Sequence, residues 1–287
     1  MPVVLLGVFA ALCWSVHDLF ARSLAARIGP FRMAMLVMIA GGLLLTGFVI
    51  SDGTVWTASR SGLLLSAGLG IAYGVGAGGL FKAFSLGPVS LVAPLTAAYP
   101  VLVLLWGFAN GLQPTSLQWA ATAVTVAGAV VMARAGSDDN AAHAPEKGKL
   151  PALLFFCILA SLGYAAAVIL GQNAAVAMGE IEAAWISRPV ALLSLLPFLA
   201  RERAPARLRP RHWIGITVMG ALDVLGLVAV NASGHLPGRE FAAIGISAYG
   251  ALAVIFAMVF LREKVSAQQW LGIGLIVGGV ATLSVSQ

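Results

Sequence analysis

The four tyrosines of this chain occupy unusual positions for such an apolar sequence. Each lies near the middle of a long hydrophobic stretch: Tyr73, Tyr99, Tyr164 and Tyr249. A phenol hydroxyl in hydrocarbon is costly unless it finds a hydrogen-bond partner. We therefore expect the tyrosines to face inward, either lining a shared substrate cavity or bonding backbone carbonyls in the core.

Two charged residues also fall within apolar stretches. Asp223 lies close to the centre of its stretch without a basic neighbour in sequence. An acid at membrane depth typically marks a binding site or a proton relay, and the alternative is a structural bond to a neighbouring helix. Arg188 lies near the end of its stretch, beside Glu180 and Glu182. It either extends outward to the interface or receives a substrate carboxylate.

The first apolar stretch carries a polar face. Trp14, His17 and Asp18 are spaced at i, i+3 and i+4, which places them on one side of a helix. His17 can titrate near neutral pH or donate to a carbonyl, and Asp18 can pair with Arg22. Asp223 and His17 are the proton-coupling candidates. The predicted substrate-binding set is Trp14, His17, Tyr73, Tyr99, Tyr164, Arg188, Asp223 and Tyr249.

No arrangement of residues indicates catalysis, a metal or a cofactor. The four histidines are scattered, and Cys13 and Cys157 lie within apolar stretches, as free buried thiols do. A GxxxxGK[ST] phosphate-binding motif is absent from the sequence, which argues against transport driven by ATP within this chain. We expect no enzyme, no cofactor and no metal site.

Composition indicates what positions these residues. Of 287 residues, 60% are hydrophobic and 10% are charged, against about 25% charged in soluble domains. Ten apolar stretches each approach the roughly 20 residues that a helix needs to cross a bilayer. The predicted spans are 2–21, 31–50, 62–81, 89–108, 116–134, 151–171, 183–200, 212–231, 240–261 and 268–286.

Basic residues lie between these stretches, so the net charge of +6 does not indicate nucleic acid binding. Odd-numbered loops hold 14 of the 17 Lys and Arg residues, including the run from Arg201 to Arg211. Because basic residues favour cytoplasmic loops, both termini are predicted to lie outside the cytoplasm.

Ten spans divide into two sets of five: a first repeat at 1–134, a polar linker at 135–150 and a second repeat at 151–287. Five is odd, so the second repeat enters the membrane inverted. Sliding the chain by 151 residues lays Gln118 and Trp119 over Gln269 and Trp270, and Gly128 over Gly279. Inverted repeats with a site near the bilayer midplane are typical of secondary transporters.

The segment Leu261-Arg-Glu-Lys-Val-Ser-Ala-Gln-Gln-Trp-Leu-Gly272, followed by Gly278-Gly279, resembles the EamA-type ten-helix branch of the drug/metabolite transporter superfamily. The first repeat has a degraded copy, with Gly111 and Leu112 in place of the acidic residue. Trp14 and the segment from Lys82 to Pro94 add to the resemblance. It implies a multi-pass carrier of the bacterial inner membrane, often an exporter of amino acids, that alternates access without ATP.

The leading hypothesis is a secondary transporter, an exporter of a small polar metabolite of amino acid or amine type. Its partners would be that substrate, the bilayer and, as a candidate coupled ion, protons; a monomer is compatible with the sequence. Vitamins, nucleosides and lipid headgroups stay open as substrates. A membrane-embedded enzyme and a structural or receptor-like membrane protein are the competing classes.

Overall fold

A computed structural model of the chain describes residues 3–52, 59–86, 92, 96, 99–138, 149–200, 202, 208–261 and 265–286. Every regular element in these ranges is a helix. The elements are α1 (Val3–Ile28), α2 (Pro30–Asp52), α3 (Arg60–Phe84), α4 (Tyr99–Ala109), α5 (Ser116–Asp138), α6 (Leu150–Met178), α7 (Glu180–Leu199), α8 (Pro210–Ala232), a 3₁₀ turn (Ser233–His235), α9 (Phe241–Ile246), α10 (Ala248–Leu261) and α11 (Ala267–Val285).

These helices confirm the all-α membrane fold of ten spans in two repeats. Seven described segments are long and apolar enough to cross a membrane, and three shorter apolar helices lie at the first, fourth and fifth predicted spans. Large apolar side chains also cover the outside, among them Ile50, Leu64 and Ile214. An exposed apolar surface of this extent suits contact with lipid.

The helices are mostly longer than the predicted spans, because polar residues at both ends continue the helical turns. The largest differences are at the ends of α1 and α6, which continue to Ile28 and Met178 where the sequence predicted 21 and 171. Most of the start of the fourth span, including Pro94, lies outside the described residues. The helix α5 ends at Asp138, so the first residues of the predicted linker are helical.

The ninth predicted span, 240–261, is one membrane span that contains a tightened turn. At Ser247 the backbone N–H bonds to Ile244, three residues back, and the segment divides into α9 and α10. Just before the break, Gly245 lies so close to α1 that an added Cβ would be 2.3 Å from the Val4 carbonyl oxygen. The tightened turn therefore falls where the span crosses α1 at backbone contact.

The two repeats pack in matching registers. An added Cβ on Gly70 of α3 would meet Ser187, Val190 and Ala191 of α7. On Gly220 of α8 it would meet Val37, Ala40 and Gly41 of α2. Each residue of the second contact lies 150 positions from its counterpart in the first. The contact of α3 with α7 and the contact of α8 with α2 are thus equivalent, with the roles of the two repeats exchanged.

The last helices of the repeats cross each other symmetrically with an offset of 151. An added Cβ on Gly128 would meet Gly272 and Ile276, while one on Gly279 would meet Ala121 and Thr125. The offset seen in the sequence therefore corresponds to a real structural register. The change from 150 to 151 means that the second repeat has one more residue before its last helix.

Matching capping boxes begin these two helices. Thr115 and Gln118 each accept a hydrogen bond from the other's backbone N–H before α5. Ser266 and Gln269 do the same before α11. This reciprocal cap satisfies two N–H groups that the first turn of a helix leaves unpaired. It explains physically why a glutamine stands in front of tryptophan in both repeats.

Candidate functional site

A buried ion pair lies at the centre of the molecule. Arg188 of α7 and Asp223 of α8 are 2% and 5% exposed, and the Arg188 Nη1 to Asp223 Oδ2 distance is 2.6 Å. Across the repeats, Tyr73 of α3 donates its hydroxyl proton to Asp223 Oδ1 at 2.5 Å. Both carboxylate oxygens are therefore engaged by donors, and the charge of Asp223 is neutralised.

A row of aromatic rings continues from this pair. The Arg188 Cζ atom lies 5.4 Å from the centroid of the Tyr73 ring, within cation–π range. The Tyr73 and Tyr164 centroids are 6.2 Å apart, and those of Tyr164 and Tyr99 are 6.0 Å apart. Because Tyr73 and Tyr99 come from the first repeat and Tyr164 from the second, both repeats build the row.

The remaining predicted site residues lie on or beside α1. Trp14 packs with Tyr99 against a shared apolar cluster, and its ring covers Gly226 of α8. His17 is half-buried one turn further along α1. Tyr249 packs against a different apolar cluster that includes Val3 and Val4, and its backbone carbonyl accepts a hydrogen bond from Ser15. The described contacts thus bring five of the eight predicted residues into one continuous group: Tyr73, Tyr99, Tyr164, Arg188 and Asp223.

Several donors in this region have no acceptor among the described residues. They are the Arg188 Nε and Nη2 atoms and the Trp14 Nε1 atom, all buried. Buried donors are normally paired, because desolvation without a hydrogen bond costs free energy. The Arg188 guanidinium therefore has two buried donors left for a ligand or an ordered water.

The structure excludes one of the two alternatives for Arg188. Arg188 does not extend outward to the interface: its guanidinium is buried and pairs with Asp223, not with Glu180 or Glu182. Asp223, which has no basic neighbour in sequence, finds its basic partner on another helix, 35 positions away. The side chain of Asp18, with its predicted pairing to Arg22, lies outside the described residues.

The site itself follows the repeat symmetry. Trp14 and Tyr164, Tyr73 and Asp223, and Tyr99 and Tyr249 are each 150 positions apart. Trp14 covers Gly226 as Tyr164 covers Gly76, which are again 150 apart. Tyr73 and Asp223 therefore bond to each other across the axis that relates the repeats. The counterpart of Arg188 is the buried apolar Met38, so the positive charge occurs on one side only.

A second buried polar group was missed in the sequence. Gln172 at the end of α6 donates through Nε2 to the Ser233 hydroxyl and to the Arg239 carbonyl, both at 2.9 Å. The cluster fastens the loop after α8 to α6 within the second repeat. A sequence signal for it would have been a glutamine persisting inside an apolar stretch. Metal-binding groups of three or more His, Cys, Asp or Glu do not occur among the described residues.

Comparison with known proteins places the chain. A solved crystal structure matches it with a TM-score of 0.79 at 20% sequence identity, covering 99% of this chain and 96% of that one. At this identity the likeness establishes the fold alone. Among curated proteins, no relative matches. The sequence profile of the EamA-like transporter family matches residues 1–134 and 151–285. The chain therefore belongs to the EamA-like transporter family and is a multi-pass membrane transporter of small solutes.

Proposed function

We propose that this protein is a secondary transporter that exports a small polar metabolite, of amino acid or amine type, from the bacterial cytoplasm across the inner membrane. The observation that carries the proposal is the buried group of Arg188, Asp223 and Tyr73 with the rings of Tyr164 and Tyr99. Burying a charged pair among apolar helices is costly, and such groups in membrane proteins serve function far more often than stability.

The position of the group supports alternating access. Tyr73 and Asp223 are each the fourteenth residue of their helices, α3 and α8, so they lie near mid-membrane. They meet on the axis between the repeats. A site at the junction of inverted repeats becomes accessible from either side when one repeat rocks against the other. Trp14 and Tyr249, which are the counterparts of Tyr164 and Tyr99 around the axis, belong to the proposed site on this argument.

Protons are the proposed coupled ion, with Asp223 and His17 as candidates to carry them. Asp223 stays paired with Arg188 while substrate is bound, and it can bind a proton in a substrate-free step of the cycle in which Arg188 moves away. His17 changes charge within the physiological range when unperturbed. Transport driven by an imposed pH gradient, compared between the wild type and His17→Gln, measures this coupling; equal rates with and without the gradient would exclude it.

Reconstituted protein tests the proposal directly. Purified full-length protein in liposomes, loaded with radiolabelled amino acids or amines, should exchange label against the same external solute without ATP. A thermal-shift screen of the same preparation identifies ligands, since a ligand that binds only the folded protein raises its apparent stability. Absence of exchange for every solute that stabilises the protein would contradict the transporter assignment at this site.

A further inference from the structure

We propose that Arg188 binds the carboxylate of a zwitterionic substrate through its free Nε–Nη2 edge, while Asp223 remains bound to Nη1 and positions the guanidinium. This inference rests on the proposed transport function and specifies its substrate class. It gives Asp223 the role of a positioning residue and not of the site that receives a substrate amine.

The free edge of Arg188 has the geometry of a carboxylate site. A guanidinium carries five N–H bonds in one plane, and the Nε and Nη2 atoms present two parallel donors on one side. These are the two atoms without an acceptor among the described residues. Two parallel N–H groups match the two oxygens of a carboxylate, which lysine cannot reproduce.

The guanidinium is held before any ligand arrives. Nη1 is bound by Asp223 at 2.6 Å, and Asp223 is bound on its other oxygen by Tyr73. The Tyr73 ring lies under the guanidinium, and the aliphatic stem packs near Gly42 of α2. A guanidinium fixed in this way loses little conformational freedom when a ligand binds, which favours affinity.

Charge balance then decides between classes of ligand. Arg188 and Asp223 together are neutral, so a carboxylate alone would leave one buried negative charge uncompensated, at a high desolvation cost. A zwitterion adds no net charge. Its cationic end would meet the row of Tyr164 and Tyr99 rings that continues beyond Tyr73, and aromatic rings attract cations. A simple amine would add a positive charge beside a pair that is already neutral, and that buried charge would be left uncompensated.

Matched ligands test the inference on the purified full-length protein in detergent. Each of the 20 protein amino acids is compared with its methyl ester and its decarboxylated amine by thermal shift and calorimetry. We expect at least one amino acid to bind about 10- to 100-fold more tightly than its ester, because the ester loses two charge-assisted hydrogen bonds. Esters or amines that bind as tightly as amino acids would overturn the inference and leave the transporter assignment intact. Failure of all 20 amino acids to bind, while other solutes exchange in liposomes, would also overturn this inference and leave the transporter assignment intact.

Variants separate the carboxylate contact from folding. Arg188→Lys keeps a positive charge beside Asp223 and removes the fork, so the ligand-free melting temperature should stay close to wild type while amino acid binding weakens at least about 10-fold. Because Arg188→Lys could itself disturb packing, a second variant, Arg188→Met with Asp223→Asn, removes both charges together. It should fold and lose the preference for amino acids over their esters. Arg239→Lys, on the loop after α8, is the control and should bind as wild type. A wild-type preference for amino acids in either Arg188 variant would overturn the inference.

Discussion

At the scale of single residues, the central question is what the buried pair contributes to stability. Two buried opposite charges satisfy each other, but either one alone is strongly unfavourable in an apolar interior. The counter-ion of Arg188 is the Asp223 carboxylate. Burying the pair therefore costs free energy of folding. We attribute its presence to its position on the axis between the repeats.

We predict that Asp223→Asn destabilises the protein by about 3 kcal/mol, because it leaves the Arg188 charge without a counter-ion. The free energy of unfolding in detergent, measured by denaturant titration, gives the value. The double variant Arg188→Met, Asp223→Asn should recover at least half of the loss, since Met is what the first repeat carries at the equivalent position. If the double variant is less stable than Asp223→Asn, the pair stabilises the fold and this argument is wrong.

A smaller effect is expected for a single hydroxyl of the tyrosine row. Tyr99→Phe keeps the ring that contacts Tyr164 and removes one polar group. Ligand binding should weaken by about 1 kcal/mol, the usual net value of one hydrogen bond, with no loss of ligand-free stability. Calorimetry on the variant measures the change. Unchanged affinity would remove the Tyr99 hydroxyl from the substrate contacts while leaving its ring in the site.

Residue types were easier to predict than residue partners. Tyrosines, an aspartate and an arginine inside apolar stretches are visible in the sequence as violations of the usual pattern. The pairing of Arg188 with Asp223 is not visible in the sequence, because it joins two helices and depends on how each helix is rotated about its own axis. The sequence carries one signal of how the site residues correspond: an offset of 150 lays Tyr73 over Asp223 and Trp14 over Tyr164. The offset of 151 taken from the last helices is out of register by one residue there.

At the scale of helices, close backbone contact between α5 and α11 gives a matched pair of neighbouring positions. An added Cβ on Gly279 would lie 2.2 Å from Thr125 Oγ1 and 2.7 Å from the Ala121 carbonyl oxygen, whereas one on Gly278 meets nothing within 4 Å. Gly279→Ala should therefore cost about 1–3 kcal/mol of unfolding free energy through overpacking. Gly278→Ala should be neutral or slightly stabilising. Equal effects of the two substitutions in thermal unfolding would show that the crossing is looser than described.

The N-terminus of α2 is bound by the other repeat. Glu202, in the loop after α7, accepts hydrogen bonds from the backbone N–H groups of Phe31 and Arg32 at 3.2 and 2.9 Å. The preceding Gly29 has φ 91°, and an added Cβ there would collide with the Glu202 carboxylate. An equivalent turn occurs at Gly179, 150 positions on, with φ 102°. The two glycines mark the junctions of α1 with α2 and of α6 with α7.

Because this contact joins the repeats at one face, breaking it should change the balance between open states. We predict that Glu202→Ala lowers the unfolding free energy by about 1 kcal/mol, as loss of a helix cap does, and increases labelling of a cysteine placed at Phe31. Glu202→Gln, which keeps one acceptor oxygen and loses the charge, should give an intermediate result. Identical labelling in all three proteins would mean that the contact does not take part in opening.

Helix existence was predictable because long apolar stretches admit few alternatives in a bilayer. Helix ends were less so, since polar residues in α6 and α7 extend the turns into the aqueous boundary. The break at Ser247 was not predictable from hydropathy, because α9 and α10 are both apolar and no proline marks the division. It follows from how closely Gly245 approaches α1, which is a tertiary contact.

At the scale of the whole molecule, the repeats are alike in packing and different in chemistry. The glycine contacts of α3 with α7 and of α8 with α2 repeat at an offset of 150. Two pairs of equivalent positions differ in chemistry: Tyr73 corresponds to Asp223, and Met38 corresponds to Arg188. Because the packing is equivalent, the repeats can exchange roles when the protein changes from one open side to the other. Because the chemistry is unequal, these two states differ in how they hold a charged substrate.

Orientation in the membrane is the last prediction, and it follows from charge alone. Of the 17 Lys and Arg residues, 14 lie in the odd-numbered loops, and the loop between α7 and α8 carries five where its first-repeat counterpart carries one. Basic residues in short loops remain cytoplasmic, so Val3 and Val285 should both lie outside. A reporter that is active only outside the cytoplasm should therefore work when fused after Gln287 and fail when fused in the 201–211 loop.

Reversing the charge of that loop, with its five Arg residues changed to Glu, should weaken the preference for this orientation. A cytoplasmic C-terminus in the wild type would invert every loop, turn the proposed export path around and move the Glu202 contact to the outer face.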